Sequence, residues 1–360
     1  MYLITNREFI EDNSGLEQFG KRVNNEGPNE LRLANVTRRG SGWQVEILED
    51  ELPKKESREL IKKHRLNLDP GATYYASLKV ACDLAEEATA KKSHILLFVH
   101  GYNNDMKDVI ERADDLSKRY GVIVVPFSWP ANGGGLHGTA SYKSDKRDAR
   151  ASAGALERSL QKVQDYLRLL TESRRHELWV QAGEKHPDNH QAQEALYSAL
   201  LEKECPYTVN AMFHSMGNYL LKHMMKSSIT DGRGLTFDNV LLVAADTNSL
   251  DHRLWVERLQ FRKRCYIAIN ENDHALAASR AKSGTEQLAR LGHFLRGLNA
   301  DNAHYVNFTD ASWVKNSHSY FNEPAEKNKK VFTFFQRAFS GKAAEDGLKF
   351  HAEGNWYSLD

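Results

Sequence analysis

Cysteine is scarce: the 360 residues hold three, Cys82, Cys205 and Cys265, far apart and odd in number. That excludes a disulfide-stapled scaffold, and with no metal-ligand spacing among them they read as reduced packing residues of a cytoplasmic protein. Charge of one sign is lacking as well. The 49 Lys and Arg nearly balance the 48 Asp and Glu, so there is no general pull toward nucleic acid or an anionic membrane. The local run Arg262-Lys263-Arg264 reads as a solvated helix end. No apolar run approaches the ~20 residues of a membrane-spanning helix, and Met1-Tyr2-Leu3-Ile4-Thr5-Asn6-Arg7 lacks the basic-then-apolar pattern of a signal peptide.

The chain is long enough for one large domain, and it contains short β-branched runs separated by helical stretches. The runs are His94–Val99, Val122–Phe127, Tyr207–Phe213, Val240–Ala245, Cys265–Ile269 and His304–Phe308. Spacing near 3.6 predicts helices over Asp105–Tyr120, Thr139–Leu170, Asn218–Ser227, Leu250–Arg262 and Asp273–Arg280. This alternation predicts an α/β fold with a mostly parallel, doubly wound sheet. Ahead of it, Glu30–Val36 and Trp43–Leu48 flank Gly40-Ser41-Gly42, which predicts an antiparallel N-terminal edge hairpin, and Ala72–Ala90 reads as a helix. The expected organisation is residues 1–90 as hairpin and helix at the edge of the domain, 91–340 as its core, and 341–360 as a tail that leaves it. Residues 172–204 form a polar helical insertion. Both its ends belong at the amino edge of the sheet, whereas active sites in such sheets lie at the carboxyl edge. The insertion therefore reads as a packing or protein-partner surface rather than a lid.

Tyr207–Phe213, His214-Ser215-Met216-Gly217-Asn218 and Tyr219–Lys226 read as strand, abrupt turn and helix. That is the setting of a nucleophile elbow, in which a sharp turn lifts a serine hydroxyl above the sheet edge, and it points to the α/β-hydrolase fold. Gly217 supplies the small residue after Ser215, while Phe213 stands where a glycine is usual. An N-cap serine is the plainer alternative. A serine nucleophile needs a base oriented by an acid, and in this fold the chain order is Ser, acid, His. Asp273 follows the run Cys265–Ile269, and His318 lies beyond the last strand; Asp246, after Val240–Ala245, is the alternative acid. His293 and His304 are less well placed as the base, and His274 adjoins the acid. His100-Gly101-Tyr102-Asn103 closes the first parallel strand, where one oxyanion donor is expected. The backbone N–H groups of Tyr102 and Met216 are the candidates. His186 and His190 have ligand spacing, but Pro187 lies between them and no third ligand is evident, so no metal and no cofactor are expected.

From about His94 to Phe321 the chain resembles a group of bacterial, largely uncharacterised, esterase/lipase-like α/β-hydrolases that share ordered blocks. The blocks here are His100-Gly101-Tyr102-Asn103, Ser128-Trp129-Pro130, Tyr142 with Asp145, His214-Ser215-Met216-Gly217-Asn218, Asp273-His274-Ala275-Leu276 and His318-Ser319-Tyr320-Phe321. The resemblance implies Ser215, Asp273 and His318 as a triad, with His100, Gly101, Trp129 and His214 close to the substrate. It also implies a loop from Ser128-Trp129-Pro130 to Gly133-Gly134-Gly135 over the carboxyl edge. The expected function is cleavage of a small-molecule or lipid ester through an acyl-enzyme. A lipase, phospholipase, thioesterase or acyltransferase would use the same triad, although a mean hydropathy of −0.62 gives a lipid-approach surface no support. A non-catalytic binding module is the alternative from another class.

Overall fold

The computed structural model describes residues 1–131, 138–187, 189–203, 207–227, 237–280 and 289–359. The chain opens with strands β1 (Tyr2–Thr5), β2 (Arg7–Phe9), β3 (Phe19–Val23), β4 (Arg32–Arg39) and β5 (Gly42–Ile47), then helices α1 (Lys54–Lys63) and α2 (Ala76–Lys91). Alternation follows: β6 (Ile95–Val99), α3 (Met106–Tyr120), β7 (Ile123–Ser128), α4 (Gly138–Ala151), α5 (Ala153–Lys185), α6 (His190–Lys203), β8 (Val209–His214) and α7 (Met216–Ser227). Next come β9 (Phe237–Val243), the single-turn α8 (Arg253–Val256), β10 (Phe261–Ile269), α9 (His274–Arg280) and β11 (Ala303–Asn307). The chain closes with α10 (Glu323–Lys327), α11 (Lys329–Phe339), β12 (Lys349–His351) and β13 (Trp356–Ser358).

Eleven strands form one sheet in the order β12-β13-β11-β10-β9-β8-β6-β7-β1-β4-β5. The strands from β6 to β11 are parallel to their neighbours, as expected of apolar runs buried on both faces. One face packs on α4, α5 and α7 through residues such as Ala149, Leu156 and Leu220. The other packs on α3 and α11 through Leu116, Val331 and Phe335. Two buried asparagines anchor α11 to the sheet. Asn210 Nδ2 donates to Phe339 O at 2.7 Å and Asn239 Nδ2 to Ala338 O at 2.9 Å, satisfying carbonyls that a helix C-terminus leaves unpaired.

The antiparallel hairpin β4–β5 lies at the sheet edge, but it does not join the parallel strands directly. β1 stands between them, antiparallel to β4 and parallel to β7. The tail expectation is corrected: β13 pairs with β11, β12 pairs with β13, and Glu345 accepts from Arg264 Nε at 2.6 Å and from Tyr266 OH. A polar, glycine-containing segment stays in the domain because the sheet edge at β11 offers it a ladder of backbone partners. The helix expected over Leu250–Arg262 shrinks to α8, and Arg262-Lys263-Arg264 belongs to β10, where Arg262 and Lys263 face Asp238. The insertion is the continuation of α5 paired with α6, and Trp179 packs edge-on against Tyr197 at 5.2 Å. His186 ends α5 and His190 begins α6, so the two do not share a helix.

Candidate active site

Ser215 is the whole connection between β8 and α7, with a φ of 53°. A non-glycine residue in this left-handed region is strained and persists only when its surroundings fix it. Here they do. Ser215 N–H donates to Val243 O at 3.0 Å, Asp246 N–H donates to Ser215 O at 3.2 Å, and buried Asn218 donates from Nδ2 to Phe213 O at 2.8 Å and Ser215 O at 3.2 Å. The missing glycine before the serine has a structural answer: Phe213 turns into the core under α5 and α7, and other glycines grant the close approaches. A Cβ on Gly217 would stand 2.7 Å from Val99 O, and one on Gly101 would stand 2.5 Å from Ser215 Cβ and 3.1 Å from its Oγ. Met216 opens α7, so its N–H has no partner within the helix.

The loop after β6 lies against Ser215. His100 Nδ1–H donates to Gly101 O at 2.9 Å, its Nε2 accepts from Trp129 N–H at 3.2 Å, and Trp129 Nε1–H donates to His100 O at 3.0 Å. The two rings stack at 5.2 Å. Burial, aided by the Arg7 charge, holds the His100 imidazole neutral by pushing its pKa down to about 3. His100 and Trp129 are both 0% exposed, and together they support the loop from beneath. Tyr102 packs against Tyr142 at 5.5 Å, and Asn104 Nδ2 donates to Tyr102 O at 2.7 Å.

Asp273 and His318 meet at the carboxyl edge. His318 Nδ1 lies 2.7 Å from Asp273 Oδ2, while Asp273 Oδ1 accepts from Ala275 N–H at 2.9 Å and Leu276 N–H at 3.0 Å. The fully buried carboxylate thus caps α9 with one oxygen and holds the imidazole with the other. The His318 loop is clamped from below by Asn270, whose Nδ2 donates to Lys315 O and Ser317 O, both at 3.0 Å. His214 Nε2–H donates to His318 O at 3.0 Å and the two rings lie 4.7 Å apart, which sets His318 against the residue preceding Ser215. Burial and the neighbouring His318 hold His214 well below the ordinary imidazole range.

The alternative acid, Asp246, is committed elsewhere. It accepts from Tyr142 OH at 2.8 Å and Ser279 Oγ at 2.7 Å, and pairs with the buried Arg290 at 3.0 Å. His304 pairs with Tyr266 in β11, remote from the carboxyl edge, and His293 sits in a short 3-10 turn. Gly133-Gly134-Gly135 and Cys205 lie outside the described residues. Among the described residues, no group of three or more His, Cys, Asp or Glu could hold a metal ion, and no helix is long and apolar enough to cross a membrane.

One participant carried no sequence signal. Arg7 is 1% exposed and donates to Ser128 Oγ (2.9 Å), Asn104 O (2.9 Å) and Gly20 O (3.3 Å), tying the loops after β6 and β7 to the N-terminal strands. Desolvation pushes its pKa down to about 10, opposed by Asp105, Asp145 and Asp108.

A model of the family described as alpha/beta hydrolase of unknown function (DUF900) matches residues 79–185 and 184–324, about two thirds of the chain. No curated protein and no solved structure matches the chain.

Proposed function

The chain belongs to the α/β hydrolases of the DUF900 family, and we propose that it is a serine hydrolase that cleaves a carboxylic ester through an acyl-enzyme on Ser215. The observation that carries this reading is the 2.7 Å contact between His318 Nδ1 and Asp273 Oδ2, made by a histidine that packs on His214, the residue before a serine held in a strained turn between strand and helix. With its Nδ1 proton engaged by Asp273, His318 keeps the Nε2 lone pair for the Ser215 hydroxyl.

In the proposed reaction Ser215 Oγ attacks the acyl carbon as its proton passes to His318 Nε2. The oxyanion takes hydrogen bonds from the N–H groups of Met216 and Tyr102, donors that each typically contribute on the order of a hundredfold or more in rate. The leaving alcohol takes the proton from His318, and a water deprotonated by the same nitrogen releases the acid and restores Ser215. Gly101 is the residue that lets the oxyanion loop come this close to Oγ, since a side chain there would meet Ser215 itself.

The test is exposure of the protein to a fluorophosphonate, followed by intact mass measurement of wild type, Ser215→Ala and His318→Ala. One adduct on wild type and none on either variant is expected. Equal labelling of the Ser215→Ala variant, or none of wild type under conditions that label a control hydrolase, overturns the reading.

A further inference from the structure

A sizeable cavity bounded by described residues lies away from Ser215. It measures about 580 Å³, within the range of about 300–1,000 Å³ usual for small-molecule sites. Its floor crosses six neighbouring strands of the sheet: Phe237 of β9, Val209 of β8, Leu97 of β6, Val125 of β7, Ile4 of β1 and Leu33 of β4. Five interstrand steps make it about 24 Å long, and no strand contributes more than two alternate positions, so along the strands it is about 7 Å wide. Helices α2 and α5 wall it with residues such as Ala81 and Val163. The Val209 end of β8 is roughly 20 Å from Ser215 along the strand, and Ser215 is not among the lining residues, so this is a separate site.

We propose that this trough binds a single unbranched aliphatic chain, as carried by a fatty acid or a single-chain lipid. The shape decides the class. A helix, about 10 Å across with its side chains, is too thick for it, and a β-strand would find a sheet face rather than an open edge to pair with. Among the polar groups of the wall, the hydroxyls of Ser77 and Tyr166 satisfy each other at 2.8 Å, leaving a predominantly aliphatic lining. Side chains such as Leu33, Leu84, Val163 and Leu167 are only partly buried although they pack on the main core. Such a wall offers an aliphatic occupant dispersion contacts along its length. The rim carries both signs, Glu30, Asp50 and Asp165 with Arg158 and Lys162, and Arg158 is bonded to Glu30. It therefore selects no head-group charge, and recognition falls to the chain. The site stands independently of the hydrolase reading.

The probe is cis-parinaric acid, whose fluorescence rises on entering an apolar site, titrated into wild type and Ser215→Ala. Saturable binding of one molecule per chain is expected in both, so a failure of the serine chemistry leaves this result untouched. Displacement by saturated fatty acids from octanoate to palmitate should strengthen by about fourfold per added methylene. Octadecanol and lysophosphatidylcholine should displace the probe as well as stearate does. Ala81→Phe and Val163→Phe, placed on two different walls, should each weaken binding about tenfold or more without loss of fold. No saturable signal, displacement independent of chain length, or undiminished binding in both folded variants overturns the proposal. Should either variant fail to fold, the chain-length series on wild type decides alone.

Discussion

At the scale of single residues the proposed site gives one group two tasks. Asp273 caps α9 through Oδ1 and holds His318 through Oδ2, so the two roles separate by substitution. In Asp273→Asn the amide oxygen can still accept from Ala275 and Leu276, while the amide nitrogen opposes His318 Nδ1 and forces the wrong tautomer. Turnover of an activated ester should fall by about 10⁴-fold with the melting temperature little changed, whereas Asp273→Ala should lose both. Equal activity of the Asn variant and wild type would exclude Asp273 as the orienting acid. His100 and His214 give a second separation. Their folded pKa values lie below that of the unfolded chain, at about 3 for His100 and well below 6.5 for His214. Both are neutral when folded, so their contribution is complete above about pH 6.5 and is lost as pH falls below it, because the unfolded chain binds the extra protons. Each adds a slope of about 1.4 kcal/mol per pH unit, and the half-buried His94 and His304 act in the same direction. Urea midpoints at pH 7, 6 and 5 should drop steadily, and less steeply in His100→Gln; a flat profile would mean that these imidazoles charge without unfolding the protein.

At the scale of elements, legibility follows length and burial. The strands from β6 to β11 could be read because five to nine residues in each, most of them apolar, leave a local signal. β1, β12 and β13 hold three or four residues, too few to show alternation, and their existence is settled by the neighbour they pair with. The helix read through Leu250–Arg262 failed for the opposite reason. Leu250 and Leu254 suggest an apolar face but are 61% and 71% exposed, and the segment returns to the sheet at Phe261. The pairing of Asp273 with His318 could be anticipated because the fold constrains the order of acid and histidine; the dual use of Asp273 could not, because spacing reports neither cap nor partner. The terminal strands carry their own expectation. Deleting residues 345–360 removes β12, β13 and the Glu345 contacts to Arg264 and Tyr266 and uncovers the β11 edge. An open edge invites pairing with another chain, so the truncated protein should melt several degrees lower and scatter light at concentrations where wild type is monodisperse. An unchanged melting temperature would show that β11 needs no partner beyond β10.

At the scale of the molecule the N-terminal strands support the edge that carries the proposed site, although the family match begins beyond them, at residue 79. β1 continues the sheet from β7, and two residues later Arg7 passes under the loops that follow β6 and β7. Its guanidinium serves Ser128 Oγ, Asn104 O and Gly20 O, and Ser128 lies beside the His100 imidazole on which the Gly101–Tyr102 turn rests. Nothing in the sequence marks this, because a lone arginine near a terminus has the same local signal as any solvated one. Replacing it by methionine strands buried acceptors in three segments. A buried acceptor left without its donor costs about 1–3 kcal/mol, so Arg7→Met should lose several kcal/mol of stability. Two of those acceptors, Asn104 O in the loop after β6 and Ser128 Oγ at the end of β7, support the turn that lies against Ser215, so loosening them should also slow fluorophosphonate labelling, by about tenfold, at temperatures where wild type and variant are both folded. Arg7→Lys, with one ammonium in place of a three-way fork, should fall between. If Arg7→Met loses stability yet labels at the wild-type rate while folded, the N-terminal strands hold the domain together without setting the geometry at Ser215.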